Sequence, residues 1–275
     1  MNATDEGSGT GTGAETGTGT GTAPRVLKIG LVGGLSFPST ITYYYRINRE
    51  INRRLGLAHS PRIALESLDF QPMVEAIAAR DGDSVAGQIA GAARRLGAGG
   101  ADFFAICCNT VHEYADLVTA QTDLPLINIC KVTAAETERR GFTKVALLGS
   151  AFSMEESFYR DEFTARGIEV VVPEADDRAF MQYSIERELC TGTISQATRD
   201  RFLRISNDAL AQGAQALVLA CTEVPLVVRP EDFDAPVIDT VHVHTEAIVE
   251  YALAHAGDAE PVPAAEAAGA GAGRA

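Results

Sequence analysis

The chain has 275 residues, 46% of them hydrophobic, which is enough for a substantial core, and no apolar run is long enough to read as a membrane span. Lys plus Arg number 23 against 37 Asp plus Glu, a formal charge of -14, which disfavours a nucleic acid or an anionic membrane surface as partner. Five cysteines, two of them adjacent, do not make a secreted disulfide framework, and the opening MNATDEGSGTGTGAETG lacks the basic and apolar segments of a secretory signal, so the cytoplasm is the expected compartment.

Residues 1–24 are Gly/Thr-rich, with too little apolar area to offset ordering, and read as a disordered tail. VLKIGLV, residues 26–32, predicts the first strand, followed by a turn at Gly33, Gly34, Leu35 and Ser36. The adjacent glycines permit close ligand approach but lack the spacing of a dinucleotide fingerprint. Pro38 opens a helix over 39–55. Gly34, Ser36 and Thr40 fall beside the strand end, where they can contact a substrate; the alternative for the hydroxyls is helix capping. Residues 62–68 predict a second strand, and Asp69 either accepts from a substrate ammonium or caps a helix over 72–79. A helix over 83–96 leads to a strand over 101–107 that delivers Cys108, with Cys107 pointing to the opposite face and into the core. Asn109 and Thr110 stand where a turn becomes a helix over 111–121, so their N–H groups can receive a carboxylate. His112 reads as a buttress of that turn rather than a base. A strand over 124–129 ends at a structural Cys130.

The pattern then repeats. A helix over 133–140 precedes a strand over 144–148, and the loop at Gly149 and Ser150 corresponds to the one at Gly33 and Gly34. A helix over 154–165, a strand over 168–172 and a helix over 176–189 follow, with Cys190 expected in the core. Ser150 and Ser153 can bind a substrate carboxylate or cap the helix. After a helix over 195–212, the strand at 216–220 delivers Cys221, Thr222 and Glu223. Glu223 can orient a thiol, hold an amine or cap the next turn. A last strand over 236–239 and a helix over 240–254 complete the pattern, with an Ala/Pro/Gly-rich tail behind them. His242 and His244 would face different sides of that helix, which argues against a metal pair. Two apolar strands that each end in a thiol suggest one site built from two halves at the carboxyl edges of parallel sheets. Such a thiol pair can be base and acid across one carbon; a disulfide, a metal site or two core cysteines are the alternatives.

Cys108-Asn109-Thr110 after one apolar strand, Cys221-Thr222-Glu223 after another, and the opening GLVGGLSFPSTITYYYRIN together resemble the aspartate/glutamate/hydantoin racemase superfamily, amino-acid racemase branch, across residues 26–254. The resemblance implies an α/β fold of two similar three-layer α/β/α lobes, with mainly parallel four-stranded sheets and the active site between them. The lobes would be 25–129 plus 237–255 and 130–236, between tails at 1–24 and 256–275. It further implies proton transfer by Cys108 and Cys221 without pyridoxal phosphate, other cofactor or metal, a small amino-acid substrate, and a homodimer. Aspartate-specific members carry an arginine after the second strand, where this chain has Phe70, Gln71, Pro72 and Met73, and a lysine near the segment that reads IERELCTG here, residues 185–192. Both absences point to substrates other than aspartate, unless Arg46, Arg49 or Arg178 reaches the site. Hydantoin racemase, a one-thiol decarboxylase or isomerase, and a non-catalytic binding protein remain the competing functions.

Overall fold

The computed structural model describes residues 26–192 and 194–254; the tails expected at 1–24 and 256–275 lie outside the described residues. The first sheet contains β1 (Ile29–Gly33), β2 (Ile63–Ser67), β3 (Phe103–Ile106) and β4 (Leu126–Ile127) in the order β2-β1-β3-β4. The second contains β5 (Lys144–Gly149), β6 (Glu169–Val171), β7 (Ala216–Ala220) and β8 (Val237–Asp239) in the order β6-β5-β7-β8. Every pairing is parallel. The central strands IGLVG, FFAI and ALVLA are buried throughout, as strands covered by helices on both faces must be. The two-lobed α/β architecture expected from the sequence is the one observed.

Helices α1 (Phe37–Leu55), α2 (Phe70–Ala78) and α3 (Gly82–Ala98) cover the first sheet. Alternation along β3 sends Phe103, Ala105 and Cys107 into a core with Ile47 and Ile51 of α1, and Phe104 and Ile106 into a second core with Ile89 of α3. Cys108 packs against this second core, on the face opposite Cys107. Beyond it, a 3-10 turn at Thr110–Tyr114 and the short α4 (Ala115–Thr119) stand where one helix over 111–121 was expected. The strand expected over 124–129 is only two residues long, because the Asn128 side chain already accepts from the N–H groups of Cys130 and Lys131 to start α5 (Ile129–Arg139).

In the second lobe, the helix expected over 154–165 is two helices, α6 (Ala151–Glu155) and α7 (Ser157–Thr164), separated by an extended Glu156. Helices α8 (Ala175–Arg187) and α9 (Gln196–Ala211) follow. The domain boundary at 237 needs correction. β8 pairs with β7 through Leu217–Val237, Val218–Ile238 and Leu219–Asp239, so it closes the second sheet. The chain crosses only at Asp239, whose carboxylate accepts from the N–H groups of Val241 and His242 at the start of α10 (Thr240–Ala254). Helix α10 then buries Ile248, Val249 and Ala252 in the first lobe with Ile29, Tyr43 and Phe103.

Candidate functional site

The carboxyl edges of both sheets face one cavity of about 460 Å³. Ser36 after β1, Cys108, Asn109 and Thr110 after β3, Ser150 after β5, and Cys221, Thr222 and Glu223 after β7 all line it. Equivalent positions of the repeated motif therefore meet across the cleft, and the Thr110 and Ser150 hydroxyls approach each other to 3.3 Å.

The remaining candidates do not line the cavity. Thr40 accepts from the Gly34 N–H at 2.9 Å and donates to the Ser36 carbonyl at 3.0 Å, so it shapes the β1 turn from behind. Gly34 has φ +86°, and a Cβ there would lie 2.1 Å from the Leu68 carbonyl oxygen; its role is to let two loops touch. Asp69 caps α2 through the Gln71 N–H. Ser153 is fully buried under the turn, its N–H donating to the Ser150 hydroxyl.

The two motif thiols differ in environment. Cys108 is half-buried and faces the cavity. Burial pushes its thiol up to about 11, opposed by the N–H groups of Val111 and Thr110. Cys221 is 7% exposed, and its S–H donates to Glu223 Oε2 at 3.1 Å. Burial raises this thiol well above the ordinary range, and the Glu223 charge adds to the rise. Glu223 is itself held by the Thr222 hydroxyl at 2.6 Å and the Ser36 hydroxyl at 3.4 Å. Burial thus favours the protonated form of both sulfurs, and at Cys221 the Glu223 carboxylate adds to that preference.

His112 Nδ1 donates to the Cys108 carbonyl at 2.8 Å, and its Nε2 accepts from the Ile129 N–H at 3.5 Å. Both nitrogens are occupied by the backbone, and burial pulls the imidazole down to about 4. It is a neutral strut beneath Cys108.

The cavity also has walls that the motif reading missed. Val74, Ile77 and Ala78 from α2 and Gln182, Ile185 and Glu186 from α8 line it, with Phe70 and Phe152. Each helical triplet has i, i+3, i+4 spacing, one face of a helix, so the signal was present but indistinguishable from core packing. Cys190, expected in the core, is exposed and lines the cavity as a third thiol. Among the described residues, neither a lysine nor an arginine lines the cavity. Arg46 pairs with Asp239 at 2.9 Å and Arg178 with Glu155 at 2.8 Å, and Arg49 borders a separate groove with Tyr45 and His242.

Paired α/β lobes that each bring a strand-end thiol to a common cleft define a class of proteins rather than one activity. Within that class, the chain belongs to the Asp/Glu/hydantoin racemase family, whose model matches residues 32–248. It is 23% identical over 175 residues to the broad specificity amino-acid racemase RacX of Bacillus subtilis (strain 168), a match covering 64% of this chain and 75% of that protein. Among solved structures, one from Yersinia pestis, provisionally described as an Asp/Glu racemase, is 39% identical with a TM-score of 0.79 and covers 82% of this chain and 99% of its own. An aspartate racemase homologue from Pyrococcus horikoshii OT3 is 29% identical with a TM-score of 0.71, covering 82% and 98%.

Proposed function

We propose that the protein is an amino-acid racemase that inverts Cα by proton transfer between Cys108 and Cys221, and that it favours substrates without an acidic side chain. The observation that carries this reading is the meeting of two thiols, one from each lobe, in a single cavity. One sulfur, as thiolate, takes Hα; the electron pair left on Cα is delocalised toward the carboxylate. The other thiol then gives its proton to the opposite face and becomes the thiolate. Both proton transfers are assigned to sulfur, so the reading calls on neither pyridoxal phosphate nor metal. A bound α-ammonium brings positive charge beside Cys108 and Glu223 and favours the thiolate that burial disfavours.

The side-chain preference rests on the lining. A second carboxylate would be desolvated with no cation to pair it, at a cost of several kcal/mol, whereas Phe70, Val74, Ile77 and Ile185 offer an apolar wall. The description of RacX as broad in specificity supports a substrate range wider than one amino acid. Each enantiomer of a panel of neutral, basic and acidic amino acids, incubated with the protein in deuterated water, should be inverted with deuterium at Cα, neutral ones faster than aspartate. Absence of inversion and exchange across the panel rejects the function; a strong preference for aspartate rejects the specificity. We also propose a homodimer, and light scattering that gives a monomer mass at active concentrations rejects it.

A further inference from the structure

Asn109 is 4% exposed and lines the cavity, yet only one end of its side chain is satisfied. Its Oδ1 accepts from the Tyr159 hydroxyl and lies 3.2 Å from the Thr240 hydroxyl, which has one proton to share between Asn109 and the Leu219 carbonyl at 2.8 Å. Tyr159 is thus the main donor. The buried Nδ2 has no partner among the described residues, and leaving such a donor unpaired costs roughly 1–3 kcal/mol. A ligand that supplies an acceptor removes that cost.

The bond to Tyr159 joins α7 of the second lobe to the β3 turn of the first. The Tyr159 ring is fully buried between Phe158 and Phe163, with ring centroids 5.3 Å and 6.3 Å away. Burial also raises its phenol well above the ordinary range, so the group remains a donor at any working pH. The hydroxyl also meets the Thr240 and Cys130 side chains, while the ring fills a space that phenylalanine would fill as well.

We infer that Tyr159 is a positioning residue for the reaction: its hydroxyl, contributed by the opposite lobe, holds the Asn109 amide so that Nδ2 faces the substrate carboxylate and the charge that develops on it. The inference rests on the racemase reading for the identity of that carboxylate. Because the bond crosses between lobes, the aim of the amide depends on how α7 sits against the β3 turn.

The test pairs a spectroscopic reading with a kinetic one. In protein labelled with ¹⁵N at asparagine, the Asn109 side-chain amide pair is identified by its loss in Asn109→Asp. In Tyr159→Phe, without ligand, that pair is expected to shift and to exchange faster with water. Across the amino acids that the wild type inverts, kcat is expected to fall about tenfold to a hundredfold with a smaller change in KM, less than the loss from deleting a charge-stabilising donor outright. Thr240→Ser, which keeps a hydroxyl, should lose less than Thr240→Val. An amide pair that does not move, or a kcat within twofold of wild type, overturns the inference. If the wild type inverts no amino acid, the racemase reading fails by itself, and the amide pair still decides whether Tyr159 holds Asn109.

Discussion

Burial first and Glu223 second keep Cys221 in its thiol form. The Glu223 carboxylate accepts the S–H at 3.1 Å, and an anion beside a thiol disfavours the thiolate. Cys108, raised to about 11 and touched by two N–H groups, is the easier of the two to ionise. The thiolate fraction grows as pH rises, so kcat/KM should climb by close to tenfold per unit above pH 7 until the Cys108 ionisation or the substrate ammonium limits it. Glu223→Gln removes the charge while keeping the shape and should move that rise to lower pH; an unchanged profile would mean that Glu223 does not set the thiol ionisation. Enantiomers are equal in free energy, so any variant must have the same kcat/KM in both directions, and the separate duties of the thiols show only in which enantiomer exchanges its Hα. Cys108→Ala and Cys221→Ala should each abolish inversion, by at least about a hundredfold for the loss of one acid–base group, with little change in Tm. Full inversion in either variant would remove that cysteine from the mechanism.

The turns after β1 and β5 depend on what a glycine leaves empty. Gly34→Ala puts a Cβ 2.1 Å from a carbonyl oxygen at φ +86°, and a strained φ together with overpacking should cost roughly 3 kcal/mol. At about 2–4 °C of Tm per kcal/mol for a chain of this size, calorimetry should show a clear loss. Gly87→Ala in α3, where an added Cβ meets nothing within 4 Å, should stabilise by about 0.5–1 kcal/mol. These elements also show what the sequence made legible. Apolar strands ending in Cys108 and Cys221 predicted both sheets and both thiols, because strand period and strand-end chemistry are local. The extended Glu156 between α6 and α7 and the 3-10 turn at Thr110–Tyr114 were not visible, since neither carries a glycine or proline to announce a break. The pairing of β8 with β7 was hidden for another reason: a three-residue strand carries no mark of which sheet it joins. The thiol of Cys190 was assigned to the core for want of a motif, although exposure is settled by the helix that leads to it.

For the whole molecule, the buried histidines set the acid limit. His112 is held down to about 4 and His244, which donates to the Ile127 carbonyl and accepts from Tyr43, to about 3. An unfolded histidine titrates near 6.5. Their contribution is complete above that pH and is lost as pH falls toward the folded values, by about 1.4 kcal/mol per unit for each. From pH 6.5 to pH 5 the two together should cost on the order of 3 kcal/mol. Carboxylates such as Glu50 and Glu136, held down to about 2 by arginines, make themselves felt only below about pH 4.3. Urea unfolding across pH 7 to 5 separates the two sets, and a midpoint that does not fall in that range would contradict the assignment. At the alkaline end the sign reverses in cause but not in effect. The buried thiols of Cys107, Cys130 and Cys221 are raised, so their contribution is present below about pH 8.5 and is lost as pH climbs past it.

Helix α10 has a consequence for the birth of the molecule. It starts at the edge of the second sheet, yet its far end accepts a hydrogen bond from the Leu27 N–H at 3.1 Å through the Ala252 carbonyl, and Tyr251 sets its ring 4.8 Å from that of Phe103. While the ribosome is still translating the second lobe, the first has its sheet strands and α1 but lacks α10, so the core of Ile29, Tyr43 and Phe103 is covered only in part. The first lobe to be synthesised is thus the last to be sealed. A nascent chain stalled before residue 240 should expose that surface to a chaperone or to its neighbours, and folding should speed up in a circular permutant that places α10 ahead of β1, where the contacts that now span the sequence become local.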